Sequence, residues 1–207
     1  MKTVWDNVDR FEEIIAEYAG SKYAVAVDSC TNALFLSMKY CKLEDNSVDV
    51  LEIPKRTYIS VPMQAIHAGY KVKFTDKQWS GCYYLDPLPI VDSAQRFTKD
   101  MYIPDTFYCL SFNFKKILST GKGGMILTDN IHAYEWLRRM RYDGRPSVFY
   151  NDMLNTPVEE LGYHMYMSPE QAVTGIQNFY NINNKFNKDS SCNSDYIVDL
   201  SKLNVFK

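Results

Sequence analysis

Residues 23–40 read YAVAVDSCTNALFLSMKY. The first five form a short apolar run, the pattern of a buried strand, and it ends at Asp28. Ser29, Cys30, Thr31 and Asn32 follow with the polar side chains that start helices, and ALFLSMKY continues as a helix. The stretch is therefore a strand, a polar junction and a helix in direct succession. Upstream, Phe11, Ile14, Ile15 and Tyr18 recur at helical spacing between Asn7 and Ala19, and Gly20 stops that helix.

Downstream the alternation continues. VDVLEI (48–53) is a strand closed by Pro54, and a helix is predicted over 59–68 with Gly69 after it. YKVKFT (70–75), LPIVD (88–92), FYCLSF (107–112) and GMILT (124–128) read as strands. Helices follow over about 130–141 and 168–179. Strands alternating with helices imply βαβ units and a mainly parallel sheet between helical layers. In such sheets ligands bind at the carboxyl ends of the strands. The residues to examine are then 29–32, Thr57 and Tyr58, 92–95, and 111–116.

Composition narrows the function classes. At 207 residues and 46% apolar content, the chain suits one globular domain with a short appendage. A net charge of −2 gives no footprint for nucleic acid. No apolar run is long enough to span a bilayer, and MKTVWDNVDRFEE has no apolar signal core, so a cytoplasmic location with reduced core thiols is expected. Five widely spaced cysteines without a CxxC suggest neither a zinc site nor a disulfide framework, and no metal is expected. His67 and His132 fall within predicted helices and read as structural. Residues 185–207, rich in Asn, Lys, Asp and Ser, read as a tail or appendage.

The strand-end residues carry chemistry even in isolation. Ser29 to Asn32 could bind an anion through helix-start N–H groups, or be a plain N-cap. Asp92 could pair with a buried cation or cap a turn. Lys115 and Lys116 could be a solvated pair, or one of them a nucleophile with a lowered pKa beside an apolar strand end.

Five segments, in this order, resemble the DegT/StrS family of sugar aminotransferases. They are FEEIIAEYAGSKYAVAVDSCTNALFLSM (11–38), LEIPKRTYISVPMQAIHAGYKVKFTD (51–76), IVDSAQ (90–95), SFNFKKILSTGKGGMILTD (111–129) and LGYHMYMSPEQAVTGIQNF (161–179). The most specific is the SF…K…GG block. The resemblance implies an enzyme of the aspartate-aminotransferase fold that uses pyridoxal 5'-phosphate (PLP). Residues 1–184 would be its three-layer α/β/α large domain, with a mostly parallel sheet and one antiparallel strand near Gly124 to Thr128. Residues 185–207 would be an appendage or a remnant of a small C-terminal domain that is largely missing.

By the same resemblance, Lys116 aligns with the lysine that binds the cofactor aldehyde, and Asp92 with the carboxylate that pairs with the pyridinium nitrogen. Gln95 aligns beside the phenolic oxygen. Thr31 and Asn32 would give helix-start N–H groups to the phosphate, and Ser111 its hydroxyl. Tyr58 matches an aromatic that stacks on the ring. The family further implies a homodimer with shared active sites, a nucleotide-linked keto sugar as substrate and an amino donor such as glutamate.

The chain departs from the family pattern at both ends, which look shortened, and within its motifs. Cys30 stands where the motif has Gly, Lys122 where it has Glu, and His164 and Tyr166 where it has Asn and Arg. His164 could replace that Asn as a phosphate donor to the partner subunit, or simply be packed. Two functional readings result. One is an aminotransferase on a reduced scaffold with altered substrate handling. The other is a non-catalytic or partner-dependent protein that keeps the cofactor cradle but lacks a complete substrate site. Sugar dehydration is disfavoured, because the family's dehydratases have His in place of Lys116.

Overall fold

The computed structural model describes residues 3–146, 158, 160–182 and 198–207. Its elements are α1 (Asp6–Ala19), β1 (Tyr23–Val27), α2 (Cys30–Glu44), β2 (Val50–Pro54), α3 (Ser60–His67) and β3 (Lys71–Thr75). Then come β4 (Tyr83–Tyr84), β5 (Ile90–Asp92), β6 (Phe107–Ser111), β7 (Gly124–Thr128), α4 (Ile131–Met140) and α5 (Pro169–Asn181). The helices begin where the sequence supplies caps. Asn130 accepts from His132 and Ala133 N–H at the start of α4, and Ser168 forms a capping box with Gln171 ahead of α5.

The main sheet has the order β1-β7-β6-β5-β4. It is mixed. β7 runs against both β1 and β6, as expected for Gly124 to Thr128, while β5 and β6 are parallel. The short β4 runs antiparallel to β5 and has no counterpart in the sequence reading. β2 and β3 form a parallel pair of their own, joined to the β4 region where Glu52 N–H donates to Asp86 O at 2.8 Å.

Side-chain alternation along the strands builds the three layers. Val25, Val27, Cys109 and Ile126 face the side covered by α2, α3 and α4. Ala24, Ala26, Tyr108, Leu110, Met125 and Leu127 face α1 and α5. α5 closes on α1 at Gly175, where an added Cβ would fall 2.5 Å from the Phe11 ring.

One charged pair lies inside this apolar frame. Glu12 of α1 and Arg141 after α4 are 4% and 1% exposed and form an ion pair. Glu12 Oε1 accepts the Ala26 N–H at 2.7 Å, and Arg141 Nη1 donates to Ala26 O at 2.7 Å. Arg138 adds its charge to Asp9 at 2.7 Å and to Glu12 at 3.6 Å.

The last ten residues fold back onto β2 and β3. Leu200 is buried and its N–H donates to Lys55 O at 2.8 Å, Asp199 lies 3.6 Å from the Lys55 ammonium, and Phe206 meets Phe74 edge-on. The rest of the presumed tail, residues 185–197, lies outside the described residues. Cys30, Cys41 and Cys109 are buried free thiols and Cys82 is half-buried, whereas Cys192 lies outside the described residues.

Glu12→Leu leaves the Arg141 charge buried without its carboxylate and is expected to cost about 3–5 kcal/mol. The measurement is the urea unfolding midpoint. Adding Arg141→Met to that variant should return part of the loss, because the unpaired Arg141 charge is gone while the Ala26 N–H and carbonyl stay without their side-chain partners.

Candidate functional site

The strand-end groups converge on one edge of the sheet. β1, β5 and β6 point their carboxyl ends there, and the reversed β7 begins there. Asp28 and Ser29 follow β1, Asp92 ends β5, Ser111 ends β6, and Gly124 opens β7 opposite Ser111. Gly124 has no room for a side chain. A Cβ would lie 2.3 Å from the Ser29 carbonyl carbon and 2.4 Å from the Cys30 nitrogen. The strand can approach the helix start only because the residue is Gly.

α2 starts as an N-capped helix. Ser29 Oγ accepts the Asn32 N–H at 3.2 Å, and Ala33 N–H donates to Ser29 O. The remaining N–H groups of the first turn belong to Cys30 and Thr31, and they lie at the positive end of the helix dipole. Thr31 Oγ1 lies 2.8 Å from Ser60 Oγ, which ties α2 to the start of α3. The Asn32 amide is held between Asp28, to which it donates at 2.7 Å, and Gln64, from which it accepts at 3.3 Å. Lys122 reaches Asp28 at 3.4 Å. Of the pair expected to serve an anion, Thr31 keeps its backbone N–H available and Asn32 gives its own to the cap.

Asp92 is 5% exposed. Its Oδ1 accepts the Ala94 N–H at 3.0 Å and its Oδ2 accepts the Tyr83 hydroxyl at 2.7 Å. Burial pushes its pKa above the ordinary carboxylate value, while Tyr83, Ala94 N–H and the charge of Lys116 pull it back. The Cys30 thiol is raised well above its ordinary value, first by burial and then by Asp92, and Lys116 opposes that rise. Lys116 thus acts electrostatically on both groups.

The two lysines separate clearly. Lys116 is half-buried in the loop between β6 and β7, with its N–H bonded to Asn113 O at 2.8 Å. Lys115 is exposed, its ammonium 5.4 Å above the Phe114 ring. The loop is fastened at its base by Phe112 N–H to Gly123 O at 2.9 Å and Thr120 N–H to Phe112 O at 3.0 Å.

Other candidates lie further out. Gln95 is half-buried in the turn after Asp92, and Ser111 is half-buried with its Oγ near Asn113 N. Tyr58 is 69% exposed in the loop before α3. His164 is exposed, with Nδ1 3.1 Å from Asp143 and its ring edge-on to Tyr166. Tyr166, at the motif's Arg position, packs against Trp5 and Tyr142 at 5.4 and 4.9 Å. A cavity of about 580 Å³ opens at the opposite edge of the sheet beside Tyr40, Glu44, Pro89, Asp105 and Asn130, and holds none of these groups. Among the described residues no cluster of His, Cys, Asp or Glu could hold a metal ion. Sequence reasoning missed Tyr83 altogether. Its strand is only two residues long, too short to show a period.

A model of the DegT/DnrJ/EryC1/StrS aminotransferase family matches residues 2–101 and 103–206. Among individual proteins, the chain is 26% identical to the spore coat polysaccharide biosynthesis protein SpsC of Bacillus subtilis, over 82% of this chain and 55% of that protein. It is 24% identical to the UDP-4-amino-4,6-dideoxy-N-acetyl-beta-L-altrosamine transaminase of Campylobacter jejuni, over 96% of this chain and 63% of that one. The chain therefore spans a little over half the length of these relatives. Its fold is similar to the sugar aminotransferase CalS13 from Micromonospora echinospora, with TM-score 0.69 and 16% identity over 85% of this chain and 60% of that one. It is also similar to Helicobacter pylori PseC, an aminotransferase involved in the biosynthesis of pseudoaminic acid, with TM-score 0.68 and 15% identity over 85% and 58%.

The raised pKa of Asp92 makes its ionisation costlier in the folded chain than in the unfolded one. Its stability contribution is fully present below the ordinary carboxylate value and is lost as pH rises through the folded value. Asp92→Asn is therefore expected to raise the urea midpoint of the cofactor-free protein at neutral pH. The gain should shrink as pH falls through the raised folded value of Asp92 and be gone by about 4.

Proposed function

We infer a sugar-aminotransferase function from one premise: the chain belongs to the DegT/DnrJ/EryC1/StrS aminotransferase family. The cofactor that this family implies is pyridoxal phosphate. The residues present suit it. A buried carboxylate and a half-buried lysine sit at one sheet edge, each within electrostatic reach of the other. A capped helix start with N–H groups to offer lies across from them, and the missing Cβ of Gly124 brings the strand close to it. That juxtaposition is the observation that carries the reading.

Bound pyridoxal phosphate supplies an electron sink, which lets the hydrogen beside an amine leave as a proton and so allows an amino group to change carriers. The chain supplies the rest. Lys116 Nζ would hold the cofactor's aldehyde carbon and would be the group that carries the moving proton. Asp92, as an anion, would hold a proton on the ring nitrogen. The Cys30 and Thr31 N–H groups at the start of α2, with the Ser111 hydroxyl, would orient the phosphate, and Asn32, whose N–H serves the cap, would fix that helix start. Gln95 would stand beside the phenolic oxygen, and Tyr58 would cover a ring face and exclude water.

The substrate we propose is a nucleotide-linked keto sugar, with glutamate or a similar amino donor, in the cytoplasm. Among the described residues no helix is long and apolar enough to cross a membrane. We further propose a homodimer with shared active sites. Exposed Tyr58, Ile59 and Phe114 supply apolar surface beside Thr57 and Lys116 for such a contact. A second reading also has an observation in its favour. Tyr166 is an aromatic packed against Trp5 where the motif has Arg, so the chain could keep a cofactor cradle without a full substrate site.

Mixing the protein with pyridoxal phosphate should give a visible absorption band, and borohydride should then fix the cofactor on the peptide containing Lys116. Lys116→Ala should abolish that adduct and Lys115→Ala should leave it. Asp92→Asn should depress turnover far more than attachment. No adduct at saturating cofactor sinks the enzyme reading. An adduct without transamination of any nucleotide-linked keto sugar favours the second reading.

A further inference from the structure

Asp92 is held by more than its own turn. β4 pairs antiparallel with β5 so that Tyr83 stands directly opposite Asp92. The Tyr83 hydroxyl donates to Asp92 Oδ2 at 2.7 Å and lies 2.5 Å from Thr57 Oγ1. A tyrosine has one hydroxyl hydrogen, and Asp92 takes it, so Thr57 is the donor to Tyr83. The relay therefore runs Thr57 to Tyr83 to Asp92, and all three are 5% exposed or less. Trp79 fixes the ring from the side, with centroids 4.7 Å apart and its own Nε1 donating to Arg56 O at 2.9 Å. Nothing in this relay needs to rearrange before a ligand arrives.

We propose that Tyr83, backed by Thr57, is the positioning residue that keeps Asp92 oriented and anionic for the cofactor's ring nitrogen, an inference that rests on the cofactor reading above. The chemistry follows from burial. A carboxylate in a dry site tends to take up a proton, and a neutral carboxyl could not hold a proton on a pyridine nitrogen. A hydroxyl donor favours the anion without adding charge. The titratable groups around Asp92 are Tyr83 from β4, Cys30 from α2, Cys109 from β6 and Lys116 from the following loop; Tyr83 and Lys116 favour its anion, and Asp92 in turn raises both thiols. Both thiols are pushed up by burial and stay neutral, so Lys116 is the cation among them. Tyr83 is itself raised well above its ordinary value, first by burial and then by Asp92, so it remains an O–H donor at every working pH. Once the cofactor is attached, the Lys116 charge is committed there, and Tyr83 and the Ala94 N–H remain to hold the anion.

The test uses the full chain and two readouts. In the cofactor-free protein, NMR of the Asp92 carboxyl carbon follows its titration. Tyr83→Phe keeps the ring and removes the donor, so the proton affinity of Asp92 should rise about tenfold or more, the scale of a hydrogen bond to a charged group. Thr57→Val should shift it in the same direction by less, and it serves if Tyr83→Phe fails to fold. Tyr84→Phe, the next residue on the same strand, should leave the titration in place. With isotope-labelled pyridoxal phosphate added, the ring nitrogen should lose its proton at neutral pH in Tyr83→Phe while borohydride still fixes the cofactor on Lys116. An unchanged Asp92 titration in both Tyr83→Phe and Thr57→Val overturns the proposal. If the wild-type chain takes up no cofactor, the enzyme reading fails by itself, and the carboxyl titration still decides what Tyr83 does.

Discussion

The outer edge of β1 is closed by two opposite charges. β1 lies at one end of the main sheet, so its outward-turned backbone groups need partners. Ala26 finds them in side chains: Glu12 takes its N–H, and Arg141 serves its carbonyl. Each charge also compensates the other, which is what allows both to be buried. The pair comes from α1 and from the end of α4, on opposite faces of the sheet, so a single polar junction locks both helical layers to one strand. Beyond it, Asp28 N–H bonds to Met165 O and Met165 N–H to Arg141 O, which lays the 163–167 segment along the same edge.

That edge sets the position of the candidate site. β1 leads into Asp28 and Ser29, and so decides where α2 begins. β7, hydrogen-bonded along the whole of β1, starts against the Ser29–Cys30 peptide and so decides where the loop bearing Lys116 returns to the sheet. β6 and β5 follow in register, ending at Ser111 and Asp92. The site is first a property of strand register, and side-chain bonds such as Tyr83 to Asp92 then fix its groups.

Much of this was legible in the chain, and the reasons are local. The apolar runs at 23–27, 107–112 and 124–128 are strands because they are short, apolar and bounded by polar or glycine residues. α1 reads clearly because Phe11, Ile14 and Ile15 form a stripe and Gly20 stops it. Asp92 and Lys116 were singled out by motif order, and the structure places them at the same edge of the sheet. What escaped is non-local. Glu12 sits on the buried face of α1, and nothing nearby in sequence announces an arginine 129 positions away. Tyr83 and Thr57 meet across 26 residues through a strand too short for any periodicity. The docking of 198–207 on β2 and β3 is likewise invisible, because its composition resembles that of a solvated tail.

The buried Asp92 has a consequence for the life of the molecule, apart from its chemistry. Without its ligand, the chain carries a buried carboxyl whose anion burial disfavours, so that holding it ionised comes at a cost to stability. A ligand that brings a positive ring nitrogen to that anion binds the folded state alone, and at a hundredfold excess over its dissociation constant it adds about 2.7 kcal/mol to folding. Chains that meet the ligand early would then be removed more slowly by proteases that act on unfolded protein. The abundance of this protein in a cell would rise and fall with the supply of its cofactor, with no regulator other than the fold.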